Sequence, residues 1–125
     1  EKVEEGIIIS ADTIGYMNNE KFEKPKSREE AFRNIKKLSG NVNYAVTGVT
    51  LIDKYKNKTV TFYEKAAVYF KSMTDCAGYS METRASLFVT KIEGDYKSIV
   101  GLPISKIYDE LKKWGYNIND FETII

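Results

Sequence analysis

The first apolar run of the chain is short and continuous, and it covers residues 6–11 (Gly-Ile-Ile-Ile-Ser-Ala). A β-branched run without polar alternation is typical of a strand that is buried on both faces, as in a covered parallel sheet. We therefore predict a strand that ends at the polar pair Asp12-Thr13. These two side chains would then lie at the carboxyl end of the strand, where open α/β sheets bind their ligands. A short strand over 14–17 and a polar turn at Asn18-Asn19 should follow.

The central part of the chain predicts a β-hairpin. Residues 43–52 and 58–70 are rich in Val, Thr, Tyr and Phe, and the polar segment 53–57 separates them. Two such runs joined by a short polar turn favour a pair of antiparallel strands. Residues 86–92 have the composition of one further strand.

Two helices are predicted by their end signals as well as by their apolar stripes. Ser27 and Glu30 form a capping box in front of a stripe that ends before Gly40. The last helix follows Pro103, a residue suited to a first helical turn, and ends at Gly115. The apolar residues of the two stripes are Ala31, Phe32, Ile35 and Leu38 in the first helix and Ile104, Ile107, Tyr108, Leu111 and Trp114 in the last.

Together these elements predict the α/β class, with a mixed, twisted sheet of parallel and antiparallel strands and with flanking helices. A chain of 125 residues has room for one hydrophobic core and not for two. Residues 1–125 are therefore expected to form a single domain.

Composition narrows the classes of function. Lys and Arg number 19 and Asp and Glu 18, and this balance argues against direct nucleic-acid binding, which needs a dominant basic field. No apolar run approaches the roughly 18 to 20 residues that span a bilayer, and no signal-peptide pattern opens the sequence, so no membrane association is expected. Because His is absent, a catalytic base would be a carboxylate, Lys, Tyr or Cys. A metal would be held by oxygen ligands, which favours Mg²⁺ or Mn²⁺.

Two positions are candidates for chemistry on their residue types alone. A carboxylate at a strand end, as predicted for Asp12, can hold Mg²⁺ or take a proton from water, although an Asp-Thr pair also serves simply to cap a turn. Lys24 precedes Pro25, which restricts its backbone to extended conformations and would aim the ammonium group at a phosphate. A lysine before a loop proline also commonly faces solvent without a ligand. The glycines of Thr47-Gly48-Val49 and Gly101-Leu102-Pro103 are interpreted as structural.

Several short motifs occur in a distinctive order along the chain. They are Ala11-Asp12-Thr13, Lys24-Pro25, Glu30-Ala31, Leu38-Ser39-Gly40, Thr47-Gly48-Val49, Ala77-Gly78-Tyr79, Ile92-Glu93-Gly94-Asp95-Tyr96 and Val100-Gly101-Leu102-Pro103. In this order and approximate spacing the chain resembles the Maf family of nucleoside triphosphate pyrophosphatases over nearly its whole length. The segments from Leu-Ser-Gly to Thr-Gly-Val and from Glu-Gly-Asp-Tyr to Gly-Leu-Pro are the most specific.

The resemblance implies the inosine-triphosphatase-like α/β fold of Maf proteins. It also implies an enzyme that cleaves nucleoside triphosphates between the α- and β-phosphates with Mg²⁺ or Mn²⁺. By position, Asp12 matches the family's proposed proton acceptor and would also bind the metal. Lys24 matches the lysine of the family's Gly-Lys-Pro element, and Thr13 matches a position tied to substrate choice.

The same resemblance implies a biological setting. Maf proteins remove unwanted nucleotides before these enter nucleic acid, and they have been linked to restraint of septum formation. A cytoplasmic location is expected on this basis. The oligomeric state stays open, a homodimer included.

Two further positions bear on the substrate. Glu82 falls where members that cleave thymidine and uridine triphosphates have glutamine. An ionised glutamate only accepts hydrogen bonds, so Glu82 fits the adjacent N–H donors of guanine better than the carbonyl groups of uracil. Cys76-Ala77-Gly78 also resembles the subgroup that acts on 7-methylguanosine triphosphate, so a modified purine or another non-uracil base is favoured. The alternative is that Glu82 faces solvent from an edge strand. Asp75 matches either of two family aspartates, and the sequence does not separate them.

The family begins with a strand, a phosphate-binding loop containing Ser, Pro and Arg, and a helix, and this sequence starts after them. Two other interpretations therefore stay open beside the enzyme. One is a non-catalytic Maf-like remnant that binds nucleotide or a partner protein. The other is an unrelated α/β interaction domain whose motifs match by chance.

Overall fold

The computed structural model describes residues 4–72 and 88–121. In these ranges five strands form one sheet in the order β2-β1-β3-β4-β5, and every neighbouring pair is antiparallel. The strands are β1 Ile7–Met17, β2 Glu20–Phe22, β3 Val42–Asp53, β4 Lys58–Phe70 and β5 Val89–Glu93. The helices are α1 Arg28–Leu38, α2 Tyr96–Ile99 and α3 Ile104–Lys113, and a 3₁₀ turn covers Ile118–Phe121. The predicted α/β class is confirmed, but the described part of the sheet contains no parallel pair.

β1 differs from the prediction in length and in burial. The strand continues through Asp12 to Met17 instead of ending there. It is not buried on both faces, since Ile9 and Ile14 keep 46% and 41% of their surface exposed. The reason is its place next to the sheet edge. β2 pairs only with residues 15–17 of β1, so no strand of the described ranges covers the outer side of residues 7–14.

The predicted turn at Asn18-Asn19 is confirmed and closes a hairpin between β1 and β2. Both asparagines have positive φ, 51° and 62°, and Met17 lies opposite Glu20. This is the type I′ geometry that matches the twist of antiparallel strands, and Asn tolerates it better than most residues do. The turn fixes the direction in which β2 returns along β1.

The predicted hairpin of β3 and β4 is confirmed, and β3 contributes to a buried apolar cluster. Val49 and Leu51 of β3 are almost completely buried and pack with Ile107 and Leu111 of α3. Complete burial of such a side chain contributes roughly 1.5–3 kcal/mol. The partly buried residues around this cluster are Ile7, Val60, Phe62, Trp114 and Tyr116. α3 is therefore held on one face of the hairpin.

α1 begins at the predicted cap. The Ser27 hydroxyl accepts a hydrogen bond from the N–H of Glu30 at 3.1 Å, and the Glu30 carboxylate accepts one from the N–H of Lys26 at 2.9 Å. A cap of this kind contributes about 1 kcal/mol. Of its predicted stripe, Ile35 and Leu38 are buried. No helix of the described ranges is both long enough and apolar enough to cross a bilayer.

The connection from β5 to α2 depends on Gly94. Its φ is +114°, and a Cβ at this position would stand 2.7 Å from the Lys65 carbonyl oxygen and 2.9 Å from the Ala66 Cα. Only glycine fits such an approach without displacing the backbone of β4. Asp95 then caps α2 by accepting a hydrogen bond from the N–H of Lys97 at 2.9 Å. The Glu-Gly-Asp motif thus lays α2 against the sheet.

The strand predicted over 86–92 corresponds to β5 at 89–93. Residues 86 and 87 lie outside the described ranges. A register shift between Tyr69 and Phe70 marks a bulge where β4 pairs with β5.

Candidate functional site

Asp12 and Thr13 lie in the middle of β1, so their side chains point to opposite faces of the sheet. The strand end predicted at these two residues is therefore wrong. The strand registers assign the neighbours on each face. The Asp12 face carries Asp12, Ile14, Val46, Gly48, Tyr63 and Lys65. The Thr13 face carries Thr13, Thr47, Val49, Leu51 and Asp53, and it is the face against which α3 packs.

The Asp12 carboxylate is exposed above an open part of the sheet. Its partner on β3 is Gly48, where an added Cβ would meet no atom within 4 Å. Tyr63, which is 70% exposed, lies opposite Gly48 on β4. Within the described ranges no hydrogen bond or ion pair engages the Asp12 side chain. This carboxylate is therefore accessible to a ligand or to an attacking water.

Lys65 is a cation on the Asp12 face that the sequence analysis did not identify. Its Nζ lies 4.3 Å from the ring centroid of Tyr44 and 5.5 Å from that of Tyr16. These two rings stack with their centroids 5.4 Å apart. A hydrogen bond with Tyr16 raises the pKa of Lys65, against the opposing effect of burial. Lys65 is two strands away from Asp12, a lateral distance of roughly 10 Å. That the two residues share a face follows only from the registers of β1 with β3 and of β3 with β4.

Lys24 lies in the loop between β2 and α1 and is exposed. β2 runs antiparallel to β1 and ends with Phe22 opposite Gly15, so the chain leaves β2 heading along β1 towards Thr13. The preceding Glu23 pairs with Lys21 at 3.2 Å. In the part of the chain that the structure describes, no hydrogen bond or ion pair joins Lys24 to Asp12 or Thr13.

Thr13 is connected to the interior by a chain of hydrogen bonds. The hydroxyl oxygens of Thr13 and Thr47 are 2.8 Å apart. The Thr47 hydroxyl donates to the carbonyl oxygen of Ser98 in α2 at 2.6 Å. Thr47 and Ser98 are both fully buried, whereas Thr13 is partly exposed. These hydrogen bonds therefore lead from a partly exposed residue to a buried backbone carbonyl.

Gly101 lies next to the hydrogen bonds that link Thr13, Thr47 and Ser98. The Ser98 carbonyl also accepts the N–H of Gly101 at 3.2 Å. Gly101 has a φ of +109°, and a Cβ there would stand 3.9 Å from the Thr13 hydroxyl oxygen. The motifs around Thr47 and Gly101 thus meet at Thr13, although their sequence pattern predicts only a structural role for their glycines.

Asp75 and Glu82 lie outside the described residues, as does Cys76. Their assignments stay predictions from sequence.

The described residues form no cage for a metal ion. Within 4–72 and 88–121 no three His, Cys, Asp or Glu side chains come together. Mg²⁺ is commonly held by one or two carboxylates together with the phosphates of a substrate. The single exposed carboxylate of Asp12 fits this mode of binding rather than a site made by protein alone.

A family model described as Maf-like protein matches residues 1–114, which include both faces of the sheet and α3. The chain belongs to the Maf-like family. The recognition made from the ordered motifs is confirmed, and the α/β arrangement of sheet and helices is consistent with the Maf fold.

Three relatives of this Maf-like chain are each named dTTP/UTP pyrophosphatase. The protein of Carboxydothermus hydrogenoformans is 36% identical over 92% of this chain and 70% of its own length. The protein of Thermosipho melanesiensis is 42% identical over 86% of this chain and 66% of its own length. That of Thermosipho africanus is 38% identical over 86% and 63%. The Maf-like chain thus spans about two thirds of the length of these relatives.

Proposed function

We propose that this chain hydrolyses a nucleoside triphosphate to the monophosphate and pyrophosphate and so removes an unwanted nucleotide before it enters nucleic acid. The observation that carries the proposal is the exposed carboxylate of Asp12 opposite Gly48, which forms no hydrogen bond or ion pair with the described residues. It occupies the position of the family's proposed proton acceptor, and the names of the relatives agree with this chemistry. The requirement for a metal ion and the identity of the substrate's nucleobase are also part of the proposal.

The uncovered edge of β1 allows residues on both faces of the sheet to belong to one ligand-binding site. Asp12 and Thr13 point to opposite sides, but neither is separated from the edge by a further strand of the described ranges. A ligand that lies along this edge can therefore contact both side chains. The direction of β2 also brings the loop with Lys24 towards the same edge.

In the proposed reaction a water oxygen forms a bond to the α-phosphorus while Asp12 accepts a proton from that water. The bond from the α-phosphorus to the bridging oxygen breaks, and pyrophosphate leaves with the electron pair. The ammonium groups of Lys24 and, on the Asp12 face, Lys65 stabilise the negative charge on the phosphate oxygens. The proton on Asp12 returns to solvent after each turnover.

A divalent cation, Mg²⁺ or Mn²⁺, would be held by Asp12 together with the phosphate oxygens. When bound, it supplies charge neutralisation at the triphosphate. Activity should accordingly disappear when EDTA removes divalent cations and return when Mg²⁺ or Mn²⁺ is added.

Two classes of nucleobase are each favoured by one observation, namely the pyrimidines uracil and thymine on one side and guanine on the other. The relatives are named for thymidine and uridine triphosphates. Glu82, which replaces the glutamine of such enzymes, favours guanine, because a carboxylate accepts hydrogen bonds from two adjacent N–H groups. An uncompensated carboxylate beside a uracil carbonyl costs about 1–3 kcal/mol, enough to reverse a preference.

The test is the release of pyrophosphate and monophosphate from a panel of UTP, dTTP, GTP and 7-methyl-GTP with Mg²⁺ or Mn²⁺. We expect the two products in equal amounts. Faster turnover of the guanine nucleotides supports the Glu82 argument, and faster turnover of UTP or dTTP overturns it. Nucleotide binding without any pyrophosphate release across the panel would overturn the enzymatic proposal in favour of the non-catalytic alternative.

A further inference from the structure

The hydrogen bonds that link Thr13, Thr47 and Ser98 allow only one assignment of donors and acceptors. A carbonyl oxygen cannot donate, so the hydrogen bond of 2.6 Å to Ser98 uses the single proton of the Thr47 hydroxyl. The contact of 2.8 Å between the two threonine hydroxyls must then use the proton of Thr13. The Thr13 hydroxyl is thereby left with lone pairs and without a free proton.

The end of this chain is fixed. The Ser98 carbonyl accepts from both Thr47 and the N–H of Gly101, so both of its lone pairs are used. The Ser98 hydroxyl in turn donates to the Asp95 carbonyl at 2.6 Å. Thr47 is fully buried, which leaves no solvent to offer it another acceptor. Reversal of the chain would leave the Ser98 carbonyl with one partner fewer in the interior, which is unfavourable.

We infer that Thr47 is a positioning residue that makes Thr13 a hydrogen-bond acceptor and so selects a donor group on the nucleoside part of the substrate. This inference rests on the proposed function. Phosphate oxygens are acceptors when ionised, so they do not match an acceptor at Thr13. A sugar hydroxyl and a base N–H both carry the required proton. The site is thus matched to the nucleoside and not to the triphosphate.

The experiment compares each nucleotide with an analogue that lacks one donor. The pairs are UTP with 2′-deoxy-UTP, with 3′-deoxy-UTP and with 3-methyl-UTP, and GTP with 1-methyl-GTP. For each pair we measure the ratio of kcat/KM. The ratio of Kd is measured by calorimetry with non-hydrolysable α,β-methylene forms, so that binding is observed independently of turnover. The sugar and base pairs distinguish the two sources of the proton.

Wild-type protein should prefer the donor-bearing member of at least one pair by about tenfold, the effect of one hydrogen bond of roughly 1.4 kcal/mol. Thr47→Val removes the acceptor for the Thr13 proton, so the Thr13 hydroxyl can rotate and no longer presents its lone pairs in one fixed direction. The preference for the donor-bearing nucleotide should therefore fall well below the wild-type ratio. Thr47→Ser keeps a hydroxyl and should restore it. Thr50→Val is the matched control, because Thr50 and Thr61 form a similar pair of hydroxyls at 2.9 Å on the opposite face. That variant should keep the wild-type ratio.

Equal preferences in wild type and Thr47→Val overturn the inference, as does a Thr47→Ser protein that behaves like Thr47→Val. The absence of any preference in wild type overturns it too. Binding preferences that behave as expected without turnover would contradict the proposed reaction and support the role of Thr47. If Thr47→Val does not fold, Thr13→Val and Thr13→Ser decide the question. The valine should abolish the preference and the serine should keep it, and any other result refutes the assignment.

Discussion

Two aspartates of the same sheet have opposite environments. Asp53 ends β3 and is fully buried on the Thr13 face. One of its carboxylate oxygens accepts the N–H groups of Tyr55 and Lys56 at 2.8 and 3.0 Å, and the other accepts the hydroxyl of Tyr116 at 2.6 Å. Asp12 is exposed in the middle of β1, and no hydrogen bond of the described residues reaches it. The Asp53 carboxylate has its partners inside the fold, whereas the Asp12 carboxylate has none among the residues that the structure describes.

The difference separates a structural polar group from a candidate for chemistry. Burial alone raises the pKa of Asp53, but the hydrogen bonds from Tyr116, Lys56 and Tyr55 and the charge of Lys56 hold it below the ordinary value of 3.8. A carboxylate so engaged joins the turn after β3 to the segment after α3 and has little capacity for a ligand. The Asp12 carboxylate oxygens accept no hydrogen bond from the described residues and so stay accessible to a ligand. The same substitution at the two sites should therefore have opposite consequences.

The largest effect is expected from Asp12→Asn. An amide cannot accept a proton from water, so kcat for pyrophosphate release should fall by about 10²–10⁴-fold, the usual contribution of a general base. The melting temperature should stay within about a degree or two of wild type, because the side chain is exposed and has no partner in ranges 4–72 and 88–121. Parallel assays of turnover and thermal unfolding test both parts.

Asp109→Asn serves as the control for this variant, since Asp109 is an exposed carboxylate of α3. It should leave both measurements unchanged. Full turnover of Asp12→Asn would remove Asp12 from the proposed mechanism. A large loss of thermal stability would show that Asp12 is also a structural group and that the contrast with Asp53 fails.

Asp53→Asn should give the reverse pattern. The amide places N–H donors against the backbone N–H groups or against the tyrosine hydroxyl, so at least one buried donor loses its acceptor. We expect the melting temperature to drop by several degrees. Below that temperature kcat should remain within about twofold of wild type, as the variant leaves β1 untouched. A selective loss of turnover with normal unfolding would contradict the structural role.

Local signals were sufficient to predict much of this fold. The hairpin of β3 and β4, the cap at Ser27 and the turn at Asn18-Asn19 each depend on residues adjacent in sequence, and all three are confirmed. The extent of β1 is different. A run of β-branched residues favours an extended strand, but it does not show where the strand ends or which neighbours cover it.

The candidate site was predictable in part for the same reason. Family motifs identify Asp12 and Thr13 as positions of interest, but their opposite orientations follow only from the continuation of β1. Thr47 contacts Ser98 across 51 positions of sequence, and Tyr116 contacts Asp53 across 63. Contacts of such separation are made by tertiary packing and leave no periodic pattern. The contacts of Thr47 with Thr13 and Ser98 and the presence of Lys65 on the Asp12 face became visible only in the structure.

The smallest effect expected is that of Tyr116→Phe, which removes one hydrogen bond and keeps the ring. Its hydrogen bond to Asp53, with burial as a second cause, raises the pKa of Tyr116 from 10.0 to about 12. The stabilisation linked to this shift is complete below pH 10 and is lost as the pH rises through about 12, because the unfolded chain loses the proton first. For Asp53, whose pKa is lowered, the stabilisation is present above 3.8 and is lost as the pH falls through the folded value.

The free energy of unfolding of wild type should therefore exceed that of Tyr116→Phe by a constant amount between about pH 5 and pH 9. The difference should shrink on both sides of this range. Denaturant titrations at a series of pH values measure it directly, and comparison with the variant removes the contribution of other groups that titrate above pH 10, such as Tyr69 and Lys65, whose pKa values are also raised. A difference that persists unchanged at pH 12 would mean that the tyrosine stabilises the protein by packing alone. The distinction between the two aspartates would then depend on burial and on the N–H groups of Tyr55 and Lys56.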